Sequence, residues 1–231
     1  MTGVDANHGT ATASPHEGAS PPEVLVATGV EKSFRRGPWP WRHRQPVLRG
    51  ATLALVPGEV VGLTGENGSG KSTLMKILVG ALAADAGTVV STGRIGYCPQ
   101  EPLVYDRLTC DEHFELFGHA YRMTREQAET SRLGLYDALG FERYAHTRAD
   151  QLSGGTLAKL NLGLALLADP DLLLLDEPYA GFDWDTYQKF WILVAERREA
   201  GRTVLVVSHF VVDEDRFDRI IEVKDGRAQL R

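Results

Sequence analysis

The chain has 231 residues, with 25 Lys or Arg against 31 Asp or Glu, for a formal net charge of −6. Its 43% hydrophobic and 24% charged residues are those of a globular protein, which excludes disorder of the whole chain, and the acidic balance argues against gripping nucleic acid phosphates as the main role. No apolar run approaches the roughly 20 residues needed to cross a bilayer, and at about 150 residues per domain one or two domains are expected.

Residues 1–22, MTGVDANHGTATASPHEGASPP, contain no Lys or Arg and no apolar stretch. They match neither a secretory signal nor a basic targeting helix. Small polar side chains of this kind bury too little surface to offset ordering entropy, so a disordered tail is expected. Strand patterns begin with the short apolar run 24–27 and continue with 51–56 and, beyond the Pro57-Gly58 turn, 60–64. Between the first two lies RRGPWPWRHR, where Arg35, Arg36, Arg42 and Arg44 surround Trp39 and Trp41. Such interleaving can stack on bases or lie on a membrane surface. The favoured reading of so short a patch on an acidic chain is an extended Pro-rich loop packed on its own tryptophans.

The next segment, Gly65-Glu66-Asn67-Gly68-Ser69-Gly70-Lys71-Ser72, satisfies the phosphate-loop pattern. Its glycines allow successive backbone N–H groups to turn inward around a phosphate. It follows an apolar strand and opens a helix with Leu74, Ile77 and Leu78 at helical spacing, whose N-terminal dipole end adds to the site. Lys71 is expected on the β- and γ-phosphates and the Ser72 hydroxyl on magnesium, with Thr73 counted among the nucleotide contacts.

Residues 103–151 are rich in charged, helix-forming side chains and read as a mostly helical insertion. Within it Thr124 and Gln127 make a capping box for a helix carrying Leu133, Tyr136 and Leu139. Cys98 and Cys110 read as isolated packing residues of a reduced protein, and His113, His119 and His146 lack ligand spacing and receive no metal role. A helix from Ser153 then shows Leu157, Leu160, Leu164 and Leu167 on one face. The residues at its start, Leu152-Ser153-Gly154-Gly155-Thr156, place a polar side chain and two glycines at a helix N-terminus, a second anion cradle. The run LLLLDE is apolar on both faces, hence a buried parallel strand, and ends in Asp176-Glu177 at the edge where ligands of open α/β sheets sit. Asp176 is expected in the magnesium shell and Glu177 as the base that polarises an attacking water. Alone such a pair could merely cap the next helix; with a phosphate loop it means nucleotide hydrolysis. A helix over 184–200, a strand over 203–207 and a hairpin over 220–230 turning at Asp225-Gly226 complete an alternation that predicts a mostly parallel α/β sheet.

One nucleotide does not need two phosphate cradles on one chain, so the second is read as serving the nucleotide of another subunit. At this point the chain resembles the ATP-binding cassette (ABC) family, the nucleotide-binding subunits of ABC transporters. LSGGT is similar to that family's LSGGQ signature, Gln100 in YCPQE to its Q-loop, Gly181-Phe182-Asp183 to its D-loop and His209 in VVSHF to its switch histidine. The likeness runs over about 24–230. It implies a phosphate-loop α/β cassette over 23–231 with a mostly parallel core sheet, an antiparallel β subdomain and a helical subdomain at about 103–151. It further implies that Phe34 stacks on adenine, with core packing as the competing reading, that Ser153, Gly154 and Gly155 contact the γ-phosphate across a subunit interface, and that Asp183 joins the nucleotide site. Gln100 is implied beside magnesium with Ser72 and Asp176, and Glu177 with His209 around the attacking water, while Lys71 neutralises charge. The implied cofactors are ATP and Mg²⁺.

Two departures stand out: Thr156 replaces the signature Gln, and the helix behind it carries only Lys159 where the family is commonly more basic. The implied assembly is a head-to-tail dimer, of identical or mixed subunits, with a separate transmembrane permease, placed in the cytoplasm on the inner face of the membrane and without a nucleic acid partner. The GFD loop resembles those of small export-type ATPases, so export is the expected direction. The alternative is a soluble ABC ATPase acting on another assembly, in iron–sulfur cluster assembly or at the ribosome.

Overall fold

A computed structural model describes residues 23–38, 43–208 and 214–231. The expected tail at 1–22, Trp39, Trp41 and Arg42 of the basic patch, and His209 lie outside the described residues.

Strands β1 (Leu25–Arg36) and β2 (His43–Leu55) form a long antiparallel hairpin that pairs Leu25 with Leu55 at one end and Arg36 with His43 at the other, with register shifts between Ala27 and Ser33, and β4 (Ala86–Ser91) lies on the far side of β1. The apolar runs at 24–27 and 51–56 are only the inner ends of these strands. Their outer halves run on through exposed polar residues, so Arg35 and Arg44 face each other in the ladder instead of lying in a Pro-rich loop. Sequence periodicity misses this because neither face of the outer hairpin is buried, so nothing alternates there. The same reason hides β4, which is exposed at nearly every position.

The second sheet has the order β5-β6-β7-β3-β8-β9, built from β5 (Ile95–Cys98), β6 (Leu172–Asp176), β7 (Thr203–Val207), β3 (Val60–Thr64), β8 (Arg219–Lys224) and β9 (Arg227–Leu230). All its neighbours are parallel except the β8–β9 hairpin. β3, β6 and β7 are buried at every position, as strands covered on both faces must be. Alternate residues feed two cores. Leu173, Leu175, Val204 and Val206 pack under helices α4 (Gly154–Leu166) and α5 (Trp184–Glu199); Leu172, Leu174, Leu205 and Val207 pack with α1 (Lys71–Leu78) and the inner ends of β1 and β2.

Helices α2 (Cys110–Ala120) and α3 (Arg125–Leu139) follow the core strand β5 in the chain and both open on capping boxes, Thr109 with Glu112 and the expected Thr124 with Gln127. Tyr136 meets Phe114 and Phe141 edge to face, with centroids 5.2 Å apart for Phe114–Tyr136 and 4.7 Å for Tyr136–Phe141, and the three rings join the α4 side of the core. Burying one such ring contributes roughly 1.5–3 kcal/mol. Cys98 and Cys110 are buried and unpaired, and burial pushes both thiols well above their ordinary pKa. His113, fully buried, accepts the Tyr105 N–H at 2.8 Å on one ring nitrogen and lies 2.7 Å from the Thr109 carbonyl on the other. These two contacts tie the backbone at Tyr105 to the start of α2.

Candidate nucleotide site

The loop at 65–70 leaves β3 and enters α1, and its geometry demands glycine at two points. A Cβ on Gly65 (φ 145°) would come within 2.4 Å of the Val223 carbonyl, and one on Gly70 (φ 110°) within 2.9 Å of Leu48. No side chain caps the first turn of α1, so its N–H groups are presented to the loop, the arrangement that binds anions at helix N-termini. Lys71 is buried and donates to the carbonyls of Gly65 at 2.7 Å and Glu66 at 3.1 Å. Burial lowers its pKa, and the charges of Glu177 and Asp176 act against that. A cleft of about 330 Å³ borders the loop between Gln45 and Val47 of β2 and the β8–β9 turn at Asp225.

Asp176 ends β6 and is 2% exposed. Burial raises its pKa, while a hydrogen bond from the Ser72 hydroxyl works in the opposite direction. Its Oδ1 is buried with no hydrogen-bond partner among the described residues. A buried carboxylate oxygen left over beside a hydroxyl is a hard-oxygen set of the kind Mg²⁺ takes, so the residues fit that ion. Glu177 sits in the left-handed region at φ 53°, a conformation that costs a non-glycine residue about 1–3 kcal/mol and is met at functional sites. Gln100, just beyond β5, donates to Glu177 Oε2 at 3.2 Å. Lys71, Ser72, Asp176, Glu177 and Gln100 thus converge at one end of the parallel sheet.

The second cradle is built elsewhere. Ser153 caps α4 and its Oγ accepts the Thr156 N–H at 3.3 Å. A Cβ on Gly155 would lie 2.6 Å from the Gly181 carbonyl, so glycine there lets the signature turn press against the D-loop backbone. Asp183 caps α5, accepting the Thr186 N–H at 2.8 Å, and the bonding at Thr186 holds its carboxyl below the usual range. Asp183 thus has a capping role, two residues beyond the Gly181 that packs on Gly155.

Phe34 is 37% exposed on β1 with the Lys32 ammonium 5.8 Å from its ring centre, which removes core packing as its explanation. Its strand is pinned by Asp85, which accepts from Arg44 at 2.8 Å, from Ser33 N–H at 2.9 Å and from Lys32 at 3.1 Å. Arg44 foremost, then Lys32 and Ser33, bring the Asp85 carboxyl down to about 2. Sequence reasoning misses Asp85, and also Asn161 of α4, which donates to the Pro99 carbonyl at 2.8 Å, and Tyr179, whose hydroxyl donates to Ser208 at 2.6 Å. Their partners lie 29 to 62 residues away or at Ser33 and Arg44, 52 and 41 residues from Asp85, and no local pattern announces such pairs.

A phosphate loop opening a helix, with an acid-tipped parallel strand at its side, defines a phosphate-loop nucleotide-binding protein. A family profile described as ABC transporter matches residues 48–180. Nod factor export ATP-binding protein I of Paraburkholderia xenovorans (strain LB400) is 32% identical over 194 residues, 78% of this chain and 64% of that protein. Human ATP-binding cassette sub-family A member 10 is 31% identical over 210 residues, 83% of this chain and 14% of that protein. The chain thus spans less than two thirds of either relative. A solved dimeric ATP-binding cassette, in a post-hydrolysis state bound to ADP and Pi, matches with a TM-score of 0.81 at 27% identity, covering 90% of this chain and 97% of that one. The chain belongs to the ABC transporter family as one of its ATP-binding cassettes, which bind and hydrolyse ATP.

Proposed function

We propose that this cassette is the ATPase subunit of an ABC exporter, working as a head-to-tail dimer on a permease carried by a separate polypeptide. The observation that carries the reading is the split site: Lys71, Ser72, Asp176, Glu177 and Gln100 form one cluster, while Ser153, Gly154 and Gly155 form another that packs on the D-loop. A complete site then takes the first cluster from one copy and the second from its partner, a two-fold arrangement in which each contact occurs twice. No helix among the described residues is long and apolar enough to cross a membrane. Export is supported by the name of the Nod factor export relative. The inner face of the membrane, reached through the permease, is the corresponding location.

In this reading Phe34 stacks on adenine, the N–H groups at 65–73 surround the phosphates, and Lys71 neutralises charge on the β- and γ-phosphates. Ser72 and Asp176 would hold Mg²⁺, with Gln100 beside them. That ion, when bound, withdraws charge from the phosphate oxygens. Glu177 takes the proton of the water that attacks the γ-phosphate in line, and Gln100 holds the Glu177 carboxylate in place; His209 stands with them on the family likeness. ATP binds the closed dimer better than the open one, so it shifts that equilibrium, and loss of the γ-phosphate reverses the shift.

The test is affinity purification of tagged Glu177→Gln chain from solubilised native membranes. A polytopic membrane protein recovered at near-equal stoichiometry supports the reading. Recovery with soluble partners alone overturns it in favour of an ABC ATPase acting on a soluble assembly.

A further inference from the structure

Ser153 and Thr156 stand at the cap and in the first turn of α4, and their hydroxyl oxygens are 2.9 Å apart. Ser153 Oγ also accepts the Thr156 backbone N–H. A serine hydroxyl has one proton and two lone pairs, and the cap bond uses one lone pair. Thr156 is 7% exposed, so water does not compete well for the second contact. The first turn of α4 carries no acidic side chain, which leaves the helix end and its hydroxyls free to face an anion.

We propose that Thr156 is a positioning residue for the signature serine. Its hydroxyl donates to Ser153 Oγ and fills the second lone pair. The Ser153 O–H is then left as a donor only, turned away from α4 toward a phosphate oxygen of the nucleotide held by a second copy. An anion accepts and never donates, so a cap oxygen with both lone pairs already occupied suits it better than one free to rotate. A Gln at this third helical position would instead reach back to the cap residue's backbone N–H, leaving the hydroxyl unrestrained. The departure from the family signature thereby becomes a means of orienting Ser153. The inference rests on the reading that this cradle faces the partner's nucleotide.

A double-mutant cycle on the ATPase activity of the full chain tests it. Thr156→Val keeps the shape and removes the hydroxyl; it is expected to lower kcat about five-fold, the worth of one hydrogen bond. Binding of a fluorescent ATP analogue to the single chain stays unchanged, because the phosphate loop is untouched. Thr156→Ser retains the hydroxyl and the rate, which separates loss of the bond from loss of the fold. In a Ser153→Ala background Thr156→Val has no further effect. A Thr156→Val chain at wild-type kcat, or independent losses that multiply in the double variant, overturns the proposal. Wild-type kcat in Ser153→Ala alone overturns the underlying reading of the cradle, so the two failures are told apart by which single variant is silent.

Discussion

Lys71 is caught between burial, which disfavours its charge, and the two acids at the end of β6, which favour it. The acids therefore help keep the ammonium charged, in addition to the roles proposed for them. Replacing Lys71 with Ala removes the charge and the bonds to the Gly65 and Glu66 carbonyls together, and ATP binding is expected to be abolished; calorimetric titration with ATP and Mg²⁺ giving full affinity would refute the loop's assignment. Gly155 offers a second test at single-residue resolution. Its missing Cβ would sit 2.6 Å from a main-chain oxygen, and backbone cannot step aside as a flexible side chain can. Gly155→Ala is expected to destabilise the chain by about 1–3 kcal/mol, the range for overpacking, read from urea unfolding. Unchanged stability would mean that the signature turn and the D-loop are not pressed together. Lys71 and Gly155 are both legible in the sequence, because each belongs to a short motif whose chemistry fixes its spacing.

The β1–β2 hairpin is held differently from the rest of the molecule. Its outer half has no buried face, and what fixes it is the ladder itself and the carboxylate of Asp85. That carboxyl is lowered from 3.8 to about 2, so the folded state binds its proton less readily than the unfolded chain does. The stability it contributes is present above pH 3.8 and is lost as pH falls through about 2. Asp85→Asn is accordingly expected to be less stable than the parent at neutral pH, with the gap closing over that acid window. Because the group lies at the surface, the gap also shrinks in high salt. A difference in melting temperature that stays constant from pH 7 to pH 2 would show that Asp85 acts through something other than its charge. The hairpin also marks the limit of reading elements from sequence. β3 and β7 are predicted with their observed bounds because burial on both faces imposes an uninterrupted apolar run, whereas β4 and the outer hairpin bury too little to leave a pattern.

At the scale of the whole chain, two sheets are joined through the β8–β9 turn. Gly226 accepts the Arg49 N–H at 2.8 Å, and a Cβ on it would meet the Val47 carbonyl at 2.7 Å. The strand that packs on Gly70 is thus fastened to the far edge of the core sheet, which sets the antiparallel sheet and its Phe34 relative to the phosphate loop. The proposed split of the site between two copies belongs to this scale too. Glu177→Gln keeps an oxygen for the Gln100 amide and removes the base; it is expected to slow hydrolysis roughly 10²-fold or more and to hold an ATP-bound dimer visible by light scattering. A variant that stays monomeric with ATP and turns over normally would remove both the role of Glu177 and the dimer.

What the residues determine unaided is the chemistry: a phosphate loop, an acid-tipped buried strand and a second cradle can be read in order because each needs particular side chains at fixed local spacing. The alternation of strands and helices follows equally, since burial imposes its own period. What only the tertiary structure decides are the long-range contacts. Asp85 on the strand of Phe34, Asn161 against the residue before Gln100, and Gly155 against Gly181 each join segments far apart in the chain, and their pairing depends on how the strands are ordered in the sheets. The exposure of Phe34 belongs to the same class. A side chain's surroundings are set by what the fold brings to it, and local sequence carries no record of that.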